Sequence, residues 1–429
     1  MQCQSEELQT SLDWRRFRHS PTLLSTGRAG WRGGPPLPGN LRQVSWLQRR
    51  EGGGSWAYRD TVPRFRQRTD RVDAFTAPAH SAGWGRQPVQ GEGCRVVPGG
   101  GTAMSQLTDS FGRSFPYLRL SLTEACNFRC SYCLPDGYQA DGRPRFLQVD
   151  EIARLVRAFA ALGMSKIRLT GGEPSLRKDL DEIIATVAAV PGIRKVAITT
   201  NGTLLPRRLP GWHRAGLTAL NVSMDSLQRE RFHAITGHDR LPEIQQGLAL
   251  AQALGLSAIK LNAVLLRGLN DDELPQWMDY LRDRPFSVRF IELMRTGDNE
   301  AYFQRHHLRA DRVIEQLLAA GWHERPRAAD AGPAREFGHP GHRGSIGIIA
   351  PYSRDFCKGC NRLRVTAKGD LRLCLFGDFG VPLRPLLQRD DDHDALLARI
   401  TTQLGLKAAG HGLHQGHTGL TPHLASIGG

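Results

Sequence analysis

The chain has 429 residues, room for two or three domains, with a net charge of +15 and 40% hydrophobic residues. It contains no run of about 18 apolar residues, so no membrane span is expected. Six of its eight cysteines fall in two tight groups, with Cys3 and Cys94 apart. That usage suits metal ligation in a reducing cytoplasm rather than disulfide stapling.

The charge is unevenly distributed. Residues 1–103 hold 15 Arg, no Lys and 8 acidic residues, a net +7, together with five of the eight Trp. They are crowded with Gly and Pro and show no sustained period, so they are not expected to pack a core. A transit peptide would be shorter and poorer in acids. A basic RNA-binding arm would mix Lys with Arg. The first lysine is Lys166, and Met104 opens a stretch of ordinary composition. Met104 is therefore the expected start, with 1–103 as translated upstream sequence or a disordered tail. The net charge then gives no reason to expect a nucleic-acid partner.

From Met104 onward strands and helices alternate. Tyr117 to Leu122 reads as a strand with Leu118, Leu120 and Leu122 on one face and Tyr117, Arg119 and Ser121 on the other. A helical stripe runs from Val149 to Leu162, capped at Gly163. Lys166 to Thr170 is a strand, followed by a helix from Leu180 to Val190 that Pro191-Gly192 stops. Further strands are expected at Lys195 to Thr200, Ala219 to Ser223, Ala258 to Leu265 and Ser287 to Leu293. Helices near 204–215, 241–254 and 271–283 separate them. Six strand–helix units give the rhythm of a parallel α/β fold.

In each strand the alternate face is polar: Arg119 and Ser121, Arg168 and Thr170, Thr199, Asn221 and Ser223, Lys260 and Asn262, Glu292. A doubly wound sheet buries both faces, whereas a barrel with a polar lumen alternates along each strand. An incomplete (β/α)6 barrel is therefore predicted, with its site on the loops that follow the strands.

The first such loop carries Cys126, Cys130 and Cys133 at C-x3-C-x2-C spacing. Three thiolates there can bind a soft metal or an iron–sulfur cluster. Zinc would want a fourth ligand, which the loop lacks. A cubane would keep one iron open for another ligand. The second loop is Thr170-Gly171-Gly172-Glu173-Pro174, whose glycines allow backbone to approach a ligand closely. Beyond an Ala-, Gly-, His- and Arg-rich stretch from 328 to 343 and a short strand at Ile346 to Ala350, Cys357, Cys360 and Cys374 form a C-x2-C-x13-C set. This set reads as a second cluster, or as a zinc knuckle completed by His339 or His342. Arg362 and Arg364 follow Cys360 directly, as an anionic substrate beside the metal would need.

The cysteine loop, with Tyr132 before its third cysteine and the Gly-Gly-Glu-Pro one unit later, resembles the radical S-adenosylmethionine (SAM) superfamily. Together with Cys357-x2-Cys360-Asn361-Arg362-Leu363-Arg364, Cys374 and the terminal Gly428-Gly429, residues 104–429 are similar to the GTP 3′,8-cyclase family of molybdenum cofactor biosynthesis. The resemblance implies a radical SAM partial barrel over 104–325 and an auxiliary-cluster region over 326–429 whose tail reaches back into the site. It implies two [4Fe–4S] clusters, the first on Cys126, Cys130 and Cys133 with SAM, the second on Cys357, Cys360 and Cys374 with GTP. SAM contacts fall at Tyr132, Gly172, Ser223 and Met294. GTP contacts fall at Arg119, Arg168, Thr199, Lys260, Arg362, Leu363 and Arg364, with Arg362 and Arg364 also counted as catalytic. The implied reaction removes hydrogen from ribose C3′ through a 5′-deoxyadenosyl radical and closes a bond to guanine C8. The product would pass to a cyclic pyranopterin monophosphate synthase. An electron donor, a cytoplasmic location and a homodimer complete the expected context. Two rival readings are a radical SAM peptide-modifying enzyme and a zinc- or cluster-binding nucleic-acid protein.

Overall fold

A computed structural model describes residues 107–427 apart from 141, 143, 144, 328–330, 420 and 422; the extension 1–103 and Gly428-Gly429 lie outside the described residues. In chain order the elements begin with β1 (Tyr117–Ser121), α1 (Val149–Ala161), β2 (Lys166–Thr170) and α2 (Leu180–Ala188). They continue with β3 (Lys195–Thr200), α3 (Leu205–Arg214), β4 (Ala219–Ser223), α4 (Arg229–Thr236), α5 (Leu241–Ala253) and β5 (Ala258–Leu265). Next come α6 (Leu274–Leu281), β6 (Ser287–Glu292), α7 (Glu300–His306), α8 (Asp311–Ala319), β7 (His323–Glu324) and β8 (Arg335–Gly338). The last are β9 (Ser345–Ile349), β10 (Arg362–Val365), β11 (Asp370–Arg372), β12 (Val381–Pro382) and α9 (His393–Leu404).

All six predicted strands form, and they pair in parallel in chain order from β1 to β6. Their outward-facing leucines and isoleucines, Leu118, Leu120, Ile167, Leu169, Ile198 and Leu220 among them, are fully buried under the helices. The helices form for the reasons their patterns suggest. In α1, Asp150 and Glu151 occupy the first turn and Ile152, Leu155, Val156 and Phe159 make one buried face.

The C-terminal region completes the wall instead of standing apart from it. β10 adds in parallel beside β1, and β9 adds in parallel beside β6. The sheet therefore has twelve strands, with β11–β12 and β8–β7 as antiparallel ends. The register sets Arg364, Arg119 and Arg168 side by side across three strands, with Arg362, Tyr117 and Lys166 one pleat away. One predicted lumen residue is corrected. In β6 the inward positions are Arg289 and Ile291, while Glu292 lies on the opposite parity and meets His307 Nε2 at 2.9 Å.

Glu151 joins the two halves of the described chain. Its carboxylate accepts from the Gln148 backbone at 2.8 Å, from Arg384 at 2.8 and 3.0 Å, and from Gln388 at 2.8 Å. Burial raises the carboxyl, but these donors outweigh it and hold it below the ordinary value of 4.5. Its stabilisation is thus complete above that value and is lost as pH falls through the lower folded-state pKa. Glu151→Ala is expected to cost about 2 kcal/mol, since it leaves Arg384 only the Arg145 and Phe146 carbonyls and uncaps α1. The shift in denaturant midpoint measures it, and a loss under about 0.5 kcal/mol would mean that solvent already satisfies Arg384.

Candidate active site

The inward strand face encloses one cavity into which both cysteine sets open. The first loop follows β1 and is docked on α4, because Arg129 N and Ser131 N donate to the Thr236 and Ile235 carbonyls at 3.1 and 2.9 Å. It is docked equally on the Gly-Gly turn. Gly172 N donates to Thr123 O at 2.8 Å and Glu173 N to Ala125 O at 2.7 Å. A Cβ on Gly171 would stand 2.3 Å from Thr123 O, and one on Gly172 would stand 2.3 Å from Ala125 O. The close approach that these glycines permit is thus first of all to the cysteine loop's own backbone.

The second set sits at the other end of the strands. β10 runs parallel to β1, Cys360 precedes β10 and Cys126 follows β1. Cys374 follows β11, which runs back antiparallel to β10 and so returns to the Cys360 end. A strand's length, about 15 Å, therefore separates the two sets.

None of the six cysteines in these two sets is paired in a disulfide. Burial pushes Cys126 up to about 11 and Cys133 up to about 12, and it raises Cys130 well above its ordinary value. Mutual repulsion among the three adds to this. Such a set becomes thiolate only when cationic metal compensates it, which is what iron supplies. Backbone N–H groups of Leu424 and Ala425 point at Cys133, so the C-terminal segment closes over this loop. At Cys360 burial is opposed by Arg362, Lys407 and Arg113, and the thiol lies below its ordinary value. Arg113, paired to Asp109 at 2.7 Å, donates to Cys357 O at 3.1 Å and to Ala409 O at 2.7 Å, fixing that end.

Among the described residues no three His, Cys, Asp or Glu side chains gather around a point for one metal ion. The zinc-knuckle alternative is corrected on its fourth ligand. His339 and His342 bond to each other at 2.9 Å and pack on Trp322, away from the cavity.

Around the first loop, Tyr132 donates to Asp225 Oδ2 at 3.0 Å and Val264 N donates to Oδ1 at 2.9 Å. Burial still pushes Asp225 up to about 6. Glu173, also raised by burial, accepts from Ser175 N at 3.0 Å, Thr200 Oγ1 at 2.7 Å and Asn201 N at 2.6 Å. Gly172, Ser223 and Met294 line the same cavity.

Between the two ends the lumen is cationic. Arg119, Arg168, Lys260, Arg362 and Arg364 all line it, as does Thr199, which accepts from Arg168 at 3.2 Å. Burial and neighbouring cations bring Arg119 down to about 10 and Lys260 to about 7, and lower Arg364 strongly. Arg362 Nη1 and Arg289 Nε are buried without a hydrogen-bond partner. Cations so arranged favour a polyanion in the lumen. Leu363 alternates away from them into the core, leaving only its backbone for a ligand.

Sequence reasoning missed Arg289, because the apolar run Phe290-Ile291 obscured the phase of β6. It also missed Lys166 and Lys407, which line the cavity from the start of β2 and from a loop after α9. Lys166 begins a strand on the inward parity and could have been found.

Residues 120–281 match the model of the Radical SAM superfamily, and residues 286–413 match that of Molybdenum Cofactor Synthesis C. A GTP 3′,8-cyclase of Stenotrophomonas maltophilia (strain R551-3) is 97% identical over 326 residues, 76% of this chain and 100% of the relative. The chain belongs to the GTP 3′,8-cyclase family. A member of that family from Aeromonas hydrophila is 55% identical over 331 residues, 76% of this chain and 97% of the relative. Among solved structures, Streptococcus suis SuiB bound to S-adenosylmethionine aligns with TM-score 0.47 and 12% identity, covering 67% of this chain and 68% of that one. The partial α/β barrel of the radical SAM superfamily is the fold of 120–281, and the family's C-terminal region supplies β9 and β10. Among the described residues no helix is long and apolar enough to cross a membrane.

Proposed function

We propose that the chain converts GTP to (8S)-3′,8-cyclo-7,8-dihydroguanosine 5′-triphosphate, the first step of molybdenum cofactor biosynthesis. The observation that carries this reading is one cationic lumen with a set of three thiols at each end. Cys126, Cys130 and Cys133 hold a [4Fe–4S] cluster, and Cys357, Cys360 and Cys374 a second one. When bound, the first cluster with SAM supplies the 5′-deoxyadenosyl radical that removes hydrogen from ribose C3′. Tyr132, Gly172, Ser223 and Met294 hold SAM, with Tyr132 fixed by Asp225. Arg119, Arg168, Thr199, Lys260, Arg362 and Arg364, with the Leu363 backbone, hold GTP; Arg289 and Lys166 join them. Guanidinium forks meet phosphate oxygens two at a time, which fixes the ribose against a single C–H bond. The lumen walls limit solvent around the reacting ribose. An electron donor serves the clusters, a cyclic pyranopterin monophosphate synthase takes the product, and a homodimer is the expected assembly.

The test is protein reconstituted anaerobically with iron and sulfide, given SAM, a reductant and GTP. GTP-dependent 5′-deoxyadenosine with the cyclised nucleotide is expected. SAM cleavage with no nucleotide product would reopen the substrate. The 326 residues shared with the Stenotrophomonas relative equal the span 104–429, which supports placing the catalytic unit there. Deleting 1–103 is therefore expected to leave turnover within about twofold of the full chain, measured side by side. Loss of folding on deletion would assign that segment a structural role.

A further inference from the structure

Tyr117 occupies an inward position at the start of β1 and is 3% exposed. Its phenol oxygen accepts from Arg168 Nε and is hydrogen-bonded to Arg119. Lys166 Nζ stands 5.0 Å and Arg168 Cζ 5.7 Å from the ring centre. The register places Lys166 on β2 and Arg362 on β10 directly beside it, with Arg364 next along β10 and Arg289 across the lumen. The nearby carboxylates are engaged elsewhere. Glu336 holds Arg289 at 2.9 Å, Asp225 holds Tyr132 at 3.0 Å, and Glu173 holds Thr200 at 2.7 Å. Arg119 and Arg168 are both hydrogen-bonded to an acidic phenol.

We propose that Tyr117 is the positioning residue of the triphosphate site, its oxygen standing in for a phosphate oxygen between Arg119 and Arg168 until substrate arrives. The inference rests on the GTP reading of the lumen. Burial raises the phenol, but Arg168, Arg119 and Lys166 outweigh it and bring it down to about 7. Near pH 8 the empty lumen then holds a phenolate. A triphosphate, fully ionised there, draws both guanidinium groups to itself and repels the phenolate, which takes up a proton. The neutral phenol still accepts from one arginine and turns its O–H toward a phosphate oxygen. Lys260, also brought down to about 7 by burial and Arg289, takes up a second proton for the same reason. Substrate binding is therefore coupled to proton uptake, strongly near pH 8 and weakly near pH 6, where both groups are already protonated.

The experiment is calorimetric titration of reconstituted holoenzyme with GTP and with inorganic tripolyphosphate, in buffers of different ionisation enthalpy. Wild type is expected to take up about two protons near pH 8, and Tyr117→Phe about one. The Phe ring preserves packing, and matching iron content and melting temperature confirm that the variant is folded. Near pH 6, where the phenol is already neutral and able to donate to phosphate, the variant's KM for GTP should rise about tenfold with kcat within about threefold, because ground-state positioning is what is lost. In wild type alone, tripolyphosphate should remove phenolate absorbance near pH 8. Undiminished proton uptake in Tyr117→Phe, or no phenolate loss in wild type, overturns the inference. Proton-coupled binding of tripolyphosphate without binding of GTP would remove the GTP reading and leave the role of Tyr117 standing. Binding of neither anion removes both.

Discussion

Cys126→Ala is expected to abolish SAM cleavage, while Cys357→Ala is expected to keep cleavage and lose the cyclised nucleotide. The asymmetry follows from where the two thiols sit. Cys126 follows β1 and Cys357 lies beyond the opposite end of β10, so a strand's length separates the centres they would hold. Removing Cys126 takes away one of three thiols in a loop that offers no replacement ligand. 5′-Deoxyadenosine formation should fall by at least about 100-fold, the scale of losing a metal-site ligand rather than its support. In Cys357→Ala the first loop keeps its docking on α4 and on the Gly-Gly turn. Cleavage should stay within about threefold of wild type while product falls by about 100-fold or more. Iron content per chain should drop in both variants. Product formation at the wild-type rate by Cys357→Ala would remove the second thiol set from the reaction.

The same separation explains which parts of this molecule could be read from residues alone. β1 to β5 are legible because each alternates an aliphatic face with a polar one, and the period survives in five to eight residues. The lumen cations Arg119, Arg168 and Lys260 came with that phase. In β6 the phase failed, because Phe290, Ile291 and Leu293 are apolar on both faces, and Glu292 was set inside when Arg289 holds that place. β10 gives no strand signal of its own in the sequence. It has four residues, Arg362–Val365, and follows a cysteine turn, so nothing local distinguishes it from loop. Its place beside β1 is a long-range pairing that the sequence between Cys360 and Cys374 does not encode by period. α4 and α7 are eight and seven residues long. α8 carries a clear stripe in Val313, Ile314 and Leu317 but fits no strand–helix alternation. Asp225 and Tyr117 are polar groups whose roles come from burial, which only the assembled sheet reveals.

That dependence is sharpest at the Gly-Gly turn. Gly172→Ala is expected to destabilise the protein by about 4 kcal/mol and to abolish SAM cleavage together with it. A Cβ at Gly172 would lie 2.3 Å from Ala125 O, 2.5 Å from Glu124 O and 2.6 Å from Ala125 C. All three atoms are backbone, so no side-chain rotation relieves the contact. The turn and the cysteine loop must separate by about 1 Å to reach ordinary van der Waals distance. Two backbone hydrogen bonds, Gly172 N to Thr123 O and Glu173 N to Ala125 O, are then stretched or lost. Each leaves a carbonyl unsatisfied, that of Thr123 buried and that of Ala125 half-buried, at about 1–3 kcal/mol apiece. Cys126 is the next residue after Ala125, so the displacement is passed directly to a thiol of the first set. Denaturant midpoints of wild type and variant give the stability change, and anaerobic assays with SAM and reductant give the cleavage rate. Wild-type cleavage with an unchanged midpoint would show that the cysteine loop moves aside freely, and that its docking on the turn is not what places Cys126.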